Sequence, residues 1–136
     1  MIYTRTTPVE FNHCDPAGIV FYPRYFEMTN SVVENFFAEA LNWPFAAMMA
    51  AGSGVPTARL ETTFHAPSRL GDRLDWGLSL SRLGRTAVDL ALTAMMGGQV
   101  RVSVALTLVH VKAGRPAPWP DPVRARLTEL KETDDA

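Results

Sequence analysis

The fold is decided by the stretch YPRYFEMTNSVVENFFAEAL, residues 22–41. Its mainly apolar side chains recur at the three- and four-residue spacing of one helical face: Phe26, Thr29, Val33, Phe36, Phe37, Ala40 and Leu41. Pro23 suits the first helical position because it lacks the N–H that would be unpaired there. The spacing predicts a buried helix of about five turns, which starts near Tyr22 and is ended by residues 42–44.

On both sides of this helix the apolar residues alternate with polar ones, which is the period of a half-buried β-strand. Residues 2–11 alternate in this way and place five side chains on one face: Tyr3, Arg5, Thr7, Val9 and Phe11. Four further segments alternate after the helix: residues 55–65, 73–83, 86–96 and 99–111. Gly97 and Gly98 lie between the last two segments and suit a two-residue turn that needs positive φ, which predicts an antiparallel hairpin.

These elements predict an α+β protein in which an antiparallel sheet of about five strands curls around the helix. Short helices are also predicted at residues 45–52, closed by Gly52, and at residues 123–132, after a proline-rich tail unsuited to a central strand. No long linker divides the chain, so residues 1–136 are expected to form a single domain. A small sheet leaves open edges and an incompletely covered face, which favours a dimer or a larger assembly.

The composition argues against several classes of partner. Thirteen basic and 14 acidic residues give a formal net charge of -1, so no broad charged surface for nucleic acid or an anionic membrane is expected. No apolar stretch reaches the roughly 20 residues of a membrane span, and the amino terminus lacks a signal-peptide pattern. The single cysteine fits a reducing compartment, and the cytoplasm is the expected location.

Candidate catalytic residues lie just before the helix, in FNHCDPAGIVFY at residues 11–22. His13, Cys14 and Asp15 are neighbours here, but consecutive residues of an extended chain point to opposite faces. They therefore cannot converge as a nucleophile, a base and an orienting acid, and Cys14 is interpreted as a small apolar filler. No metal site is expected, because the chain has no second cysteine and only two other histidines, His65 and His110, both in predicted strands.

Asp15 has two interpretations. An aspartate before a proline commonly starts a turn in which its carboxylate accepts a local backbone N–H. The residues that follow, however, lead into the amino end of the buried helix, where unpaired N–H groups and the helix dipole stabilise a developing negative charge. A carboxylate beside such an end can attack a carbonyl group or deprotonate water against it. This layout indicates hydrolysis of an acyl group.

The segment FNHCDPAGIVFYPRYFEM, residues 11–28, closely resembles the active-site segment of hotdog-fold acyl-CoA thioesterases of the 4-hydroxybenzoyl-CoA thioesterase type. FHAPSRLGDRL at residues 64–74 and SRLGRTAVDL at residues 81–90 are similar to later parts of that family in the same order. The resemblance implies the hotdog fold, an antiparallel sheet wrapped around a long central helix. It also implies a homodimer, often assembled to a homotetramer, with the active site at the dimer interface.

The resemblance assigns roles to individual residues. Asp15 corresponds to the catalytic carboxylate, acting as nucleophile or general base. The backbone N–H of Tyr22 corresponds to the donor that polarises the thioester carbonyl, and the oxyanion site is expected from Gly18 onward. Arg85, with Arg82 as a second candidate, corresponds to a basic hairpin that contacts the phosphates of coenzyme A. A solvated loop is the alternative for these arginines, and for Arg82 it is weighted equally with binding. No cofactor is implied.

The expected substrate is an acyl-CoA. The family likeness favours an aromatic acyl group such as benzoyl or hydroxybenzoyl, with a short or medium aliphatic chain next. The acyl pocket is expected to be lined by the partner subunit and by aromatic and flexible apolar side chains at the helix start: Phe21, Tyr22, Tyr25, Phe26 and Met28. A solvated or helix-packing role is favoured for Asn30 and Ser31, and contact with a polar ring substituent is the alternative.

The sequence departs from the family pattern at two positions. His13 stands where many relatives have an acidic residue, so pKa tuning and substrate orientation do not transfer directly. Ala87 stands where a small hydroxyl residue is frequent, so one polar contact is missing. Two other functions remain open: a hotdog enoyl-CoA hydratase or dehydratase that uses His13 with Asp15, and a non-catalytic module that binds acyl-CoA.

Overall fold

The computed structural model describes residues 1–136 and contains three α-helices and eight strands. The helices are α1 (Arg24–Glu39), α2 (Phe45–Ala50) and α3 (Asp121–Asp135). The strands are β1 (Tyr3–Pro8), β2 (Ser53–Gly54), β3 (Thr57–Phe64), β4 (Arg73–Leu83), β5 (Ala87–Met96), β6 (Gln99–Val109), β7 (Val111–Lys112) and β8 (Arg115–Pro116). A short 3-10 turn at Phe11–His13 precedes α1.

Five of the strands form the main sheet, in the order β1-β4-β5-β6-β3, with every neighbouring pair antiparallel. The predicted five-stranded antiparallel sheet is therefore confirmed. Gly97 and Gly98 join β5 to β6 with φ angles of 57° and 80°, as a two-residue hairpin turn requires. The proline-rich tail supplies β8, which is the edge strand of a small second sheet in the order β2-β7-β8. A proline is tolerated there because an edge strand has unpaired N–H positions.

One hydrophobic core of 26 buried residues joins the inner face of the main sheet to α1. Phe36 and Phe37 are fully buried on the predicted helical face. Alternation in β4 turns Leu74 and Trp76 inward, while Asp75 between them is exposed. Because α1 has 16 residues, it makes about four and a half turns, slightly fewer than predicted.

The structure corrects the predicted ends of two elements. The first strand ends at Pro8 instead of residue 11, because the chain turns at residues 11–13 into the 3-10 segment. Phe11 is consequently 82% exposed and does not share the inner face with Tyr3. The last helix, α3, is longer than predicted, with 15 residues. None of the helices has both the length and the apolar character needed to cross a membrane.

Candidate active site

Residues 13–21, called the Asp15 hairpin below, fold back on themselves just before α1. The Asp15 N–H donates to the Ile19 carbonyl at 3.0 Å, and Cys14 pairs with Val20 in an antiparallel bridge. Directly opposed residues of an antiparallel pair lie on the same face. Cys14 therefore lies beside the buried Val20 and packs against the core, while Asp15 faces the other way. This placement agrees with Cys14 as an apolar filler.

The Asp15 carboxylate is held by one oxygen and free at the other. Oδ1 accepts the Ala17 N–H at 2.9 Å, and no donor bonds to Oδ2. The Gly18 N–H donates to the Asp15 carbonyl at 2.9 Å, and Gly18 has a φ of 80°, which favours glycine. One carboxylate oxygen of Asp15 therefore accepts a local backbone N–H, as the turn interpretation predicts, and the other oxygen makes no such bond. Gly18 shapes the turn. Its N–H was expected to belong to the oxyanion site, but in the structure this N–H is already bonded to the Asp15 carbonyl.

The start of α1 offers a single unpaired backbone donor. The N–H groups of Arg24, Tyr25 and Phe26 each donate to the carbonyl three residues earlier, at 2.8, 3.2 and 3.1 Å. Pro23 has no N–H, and the Tyr22 N–H makes no hydrogen bond in the structure. The donor expected at Tyr22 is therefore available to a ligand.

His13 lies at the base of the Asp15 hairpin and is half-buried. Its Nδ1 is 2.9 Å from the Glu10 backbone nitrogen, whose N–H donates to it. A neutral ring that accepts at Nδ1 carries its proton on Nε2. His13 therefore presents an Nε2–H donor.

An apolar cavity of about 240 Å³ lies between α1 and the edge strand β3. Its lining includes Phe26, Asn30, Val33, Leu60, Leu106 and Leu108. Of the residues predicted for the acyl pocket, Phe26 lines this cavity, whereas Tyr25 and Met28 are only 4% and 3% exposed and belong to the core. They fall on the face of α1 that packs against the protein interior. Asn30 lines the cavity, whereas Ser31 does not.

Phe64, at the end of β3, packs against Tyr22 at the start of α1 and against Phe26, which lines this cavity. Its ring centroid is 6.1 Å from that of Tyr22 and 6.5 Å from that of Phe26, and the residue is 48% exposed. Sequence reasoning missed Phe64, because alternation predicted only a strand at residues 55–65 and did not show that the helix start reaches the end of that strand.

Arg82 and Arg85 lie at the opposite end of the sheet from Asp15. The start of β4 is next to the Asp15 hairpin, since Arg73 pairs with Pro8 at the end of β1. Arg82 follows nine residues later in β4, which corresponds to about 30 Å of extended chain. Both arginine side chains are exposed and make no hydrogen bond or ion pair. Within one protomer these two arginines and Asp15 are therefore not brought together.

A turn at residues 67–72, called the support turn below, lies behind the Asp15 hairpin. Asp72 accepts the Arg69 N–H at 2.9 Å and an Arg101 guanidinium N–H at 2.8 Å. These two donors hold the pKa of the Asp72 carboxyl below its ordinary value. Sequence reasoning used SRLGD, residues 68–72, only as part of a family pattern. It missed Arg101, and the one feature of the sequence that could have indicated this residue is its charge within a largely apolar strand.

Comparison with solved structures shows the same fold along nearly the whole chain. A gentisyl-coenzyme A thioesterase is 26% identical, with a TM-score of 0.86 and coverage of 92% of this chain and 99% of that one. A 1,4-dihydroxy-2-naphthoyl-CoA thioesterase from Synechocystis is 20% identical, with a TM-score of 0.82 and coverage of 94% and 96%. A hypothetical protein from Staphylococcus aureus in complex with CoA is 16% identical, with a TM-score of 0.89 and coverage of 95% and 83%.

At these identities the last two similarities show the fold alone. None of the curated protein sequences matches the chain. The model of the thioesterase-like superfamily matches residues 9–127, a range that includes the Asp15 hairpin, α1 and all of the main sheet except β1. The prediction of a thioesterase is confirmed by this match, and the chain belongs to the thioesterase-like superfamily.

Proposed function

We propose that the chain hydrolyses an acyl-CoA thioester to the free acid and coenzyme A. One observation carries the proposal: the unpaired Tyr22 N–H and the free carboxylate oxygen of Asp15 lie in the same short segment at the start of α1. Membership of the thioesterase-like superfamily supports the reaction class. The gentisyl-CoA and dihydroxynaphthoyl-CoA thioesterases of the same fold support coenzyme A esters as substrates.

In the proposed mechanism the thioester carbonyl oxygen accepts a hydrogen bond from the Tyr22 N–H. Asp15 then either attacks the carbonyl carbon and forms a mixed anhydride that water hydrolyses, or removes a proton from the water that attacks the carbonyl carbon directly. In both routes the C–S bond breaks, the released acid carries the water-derived oxygen, and the coenzyme A thiolate takes up the proton that the water gives up. The Tyr22 donor contributes about 3 kcal/mol, because it is already oriented where the negative charge develops. The Nε2–H of His13 is assigned to substrate binding, as a donor on the Asp15 side of the hairpin.

We propose the cavity beside α1 as the acyl site and an aromatic acyl group as the first choice of substrate. A protein cavity of about 150 Å³ accommodates benzene, so a cavity of about 240 Å³ has room for a substituted ring. Phe26 supplies aromatic surface in the lining, and Asn30 is the amide-bearing residue there. Phe64 packs against both Phe26 and Tyr22. A benzoyl or hydroxybenzoyl group meets these conditions, and a short or medium aliphatic chain is the next choice.

We propose that the site is completed by a second copy of the chain, which pairs along the edge strand β3. This strand is exposed at seven of its eight residues, and it presents Leu60 and Phe64 with 44% and 48% exposure. An exposed apolar edge of this kind favours pairing with another strand. Arg59 and Glu61 flank Leu60 on the same face, so a two-fold axis through Leu60 brings each Arg59 opposite Glu61 of the partner subunit.

The antiparallel pairing explains the distant arginines. It reverses the direction of the partner's sheet, so the end that carries Arg82 and Arg85 in one protomer faces the end that carries Asp15 in the other. We therefore assign the coenzyme A phosphates to Arg82 and Arg85 in trans.

Further assembly to a homotetramer is proposed through the outer sheet face, where a groove is lined by small residues such as Gly77 and Ala91. We retain the proposals of one domain over residues 1–136 and of a cytoplasmic protein.

The test measures thiol release from benzoyl-, hydroxybenzoyl-, phenylacetyl- and straight-chain CoA thioesters. Wild-type protein is expected to prefer an aromatic ester, and Asp15→Asn to lower kcat by at least about 100-fold. Cys14→Ala is the matched neighbour control and is expected to stay within about threefold. Near wild-type turnover by Asp15→Asn would disprove the role of Asp15. Faster hydration of an enoyl-CoA than thiol release would favour the hydratase, and tight coenzyme A binding without any thiol release would favour the binding module.

A further inference from the structure

The Asp15 hairpin is joined to the rest of the fold mainly through the support turn. The Val20 N–H donates to the Ser68 carbonyl at 2.9 Å, and Ile19 forms an antiparallel bridge with Arg69. Ser68 is completely buried. The other hydrogen bonds of the hairpin stay within the hairpin and its immediate chain neighbours. The position of Asp15 therefore depends on the position of the support turn.

The support turn is held from the sheet by Arg101 of β6. The β5–β6 register passes from Met95 opposite Val100 to Ala94 opposite Val102, so Arg101 has no partner residue in β5. An extra residue of this kind is a β-bulge, which locally changes the direction in which a side chain points. Here the bulge coincides with the residue whose side chain reaches from the sheet to the support turn.

The Arg101 side chain meets several acceptors of that turn at once. Its Nη1 lies 3.0 Å from the Pro67 carbonyl oxygen, 3.2 Å from Ser68 Oγ and 2.8 Å from Asp72 Oδ2. Its Nε donates to Gln99 at 2.8 Å. The Arg101 and Asp72 side chains are only 12% and 20% exposed, so solvent screens the pair weakly. Charge-assisted bonds with this little exposure are stronger and more directional than surface ion pairs.

We propose that Asp72 and Arg101 are positioning residues for catalysis. They fix the support turn against β6, and the support turn fixes the Asp15 hairpin relative to the Tyr22 N–H. Neither residue is placed in contact with substrate. The inference rests on the proposed function, because what the two residues are proposed to maintain is the distance between the Asp15 carboxylate and the Tyr22 N–H. A displacement of about 1 Å in such a site lowers the rate by about 100-fold.

The first test compares the kinetics of Asp72→Asn, Arg101→Gln and Arg101→Lys on the best CoA thioester. The first two variants are expected to lower kcat by about 10- to 100-fold and to change KM by less than about threefold. Arg101→Lys is expected to lie between them and the wild type, because lysine keeps the charge but loses the guanidinium fork. The double variant Asp72→Asn/Arg101→Gln is expected to be no slower than the slower single variant, since both substitutions break one connection.

Asp134→Asn is the matched control. Asp134 lies on α3, is 11% exposed, accepts the Leu80 N–H at 2.9 Å and pairs with the Met1 ammonium at 3.1 Å. It thus resembles Asp72 in burial and in partners but has no contact with the support turn. Its substitution is expected to lower Tm by a similar amount and to leave kcat within about twofold. Unchanged kcat in Asp72→Asn, or an equal loss of kcat in Asp134→Asn at equal Tm, would overturn the proposal.

Amide hydrogen exchange of residues 13–22, followed by mass spectrometry, tests the same inference without substrate. Exchange is expected to be at least about tenfold faster in Asp72→Asn and Arg101→Gln, and unchanged in Asp134→Asn. If the wild type cleaves no CoA thioester, the proposed function fails while the exchange result still decides the structural claim. Wild-type protection of residues 13–22 in both variants would contradict it.

Discussion

Reversing the charge of Arg59 is predicted to weaken the homodimer. Arg59 and Glu61 lie on one face of β3 with their charged atoms 3.4 Å apart, and their side chains are 76% and 70% exposed. In the proposed dimer, the two-fold axis through Leu60 places each Arg59 opposite Glu61 of the partner subunit. Arg59→Glu therefore replaces two opposite-charge contacts with two like-charge contacts in every dimer.

The expected effect follows from the energy of cross-strand pairs. An opposite-charge pair across neighbouring strands contributes about 0.2 to 1 kcal/mol, and a like-charge pair costs a similar amount. Each pair therefore changes by about 0.4 to 2 kcal/mol. Over two symmetric pairs the change is about 0.8 to 4 kcal/mol, which raises the dimer Kd by about 4- to 900-fold. The double variant Arg59→Glu/Glu61→Arg exchanges both charges and restores the pairing. Because the charges are exposed, the effect is expected to shrink in 1 M salt, where the screening length is about 3 Å.

Sedimentation equilibrium at low and high salt measures these Kd values, and thiol release over a dilution series measures activity on the same samples. If Arg82 and Arg85 act in trans, specific activity falls as the dimer dissociates, and the fall begins at a higher protein concentration in Arg59→Glu. A wild-type Kd for Arg59→Glu at low salt, or a double variant as weak as the single one, would refute the register through Leu60. Constant specific activity through dissociation would refute the contribution in trans.

Three further predictions concern the site and the fold. Tyr22→Phe is expected to keep kcat within about threefold, because the backbone N–H is the donor; a loss above tenfold would show that the hydroxyl takes part. The pKa of Asp72 is lowered by the Arg69 N–H and the Arg101 guanidinium, so its ionised form stabilises the fold above the unfolded value of about 3.9. That stability is lost as pH falls through the lower folded-state pKa. Arg101→Gln should therefore reduce the difference between urea midpoints at pH 7 and pH 3, and an unchanged difference would contradict this. Phe36 is fully buried, so Phe36→Ala is expected to lower the free energy of unfolding by about 3 to 5 kcal/mol in urea titration, and a loss below 1 kcal/mol would contradict the packing.

Predictions from the spacing of apolar residues and from turn residues were accurate where neighbouring residues alone determine the structure. The apolar spacing of α1 and the alternation of the strands place side chains on faces that must be buried. The Gly97–Gly98 turn followed from backbone freedom. The pattern was less accurate at its limits. Phe11 continued the alternation but became exposed, because the chain enters the 3-10 turn at that residue. Tyr25 was expected in the acyl pocket, but it is part of the core. Helical spacing shows which residues share a face, but it does not show which of them face a cavity and which face the core.

The sequence by itself determined the helix, the antiparallel strands and the local environment of Asp15. These depend on the spacing of neighbouring residues, on turn chemistry and on Pro23, which has no N–H of its own at the start of α1. Only the tertiary structure decided that Arg101 reaches Asp72, a residue 29 positions earlier, and that the support turn lies behind the Asp15 hairpin. It also separated Arg82 from Asp15 by the length of a strand. These relations depend on strand order, register and a bulge, which arise from packing between distant segments and leave no local periodic signal in the chain.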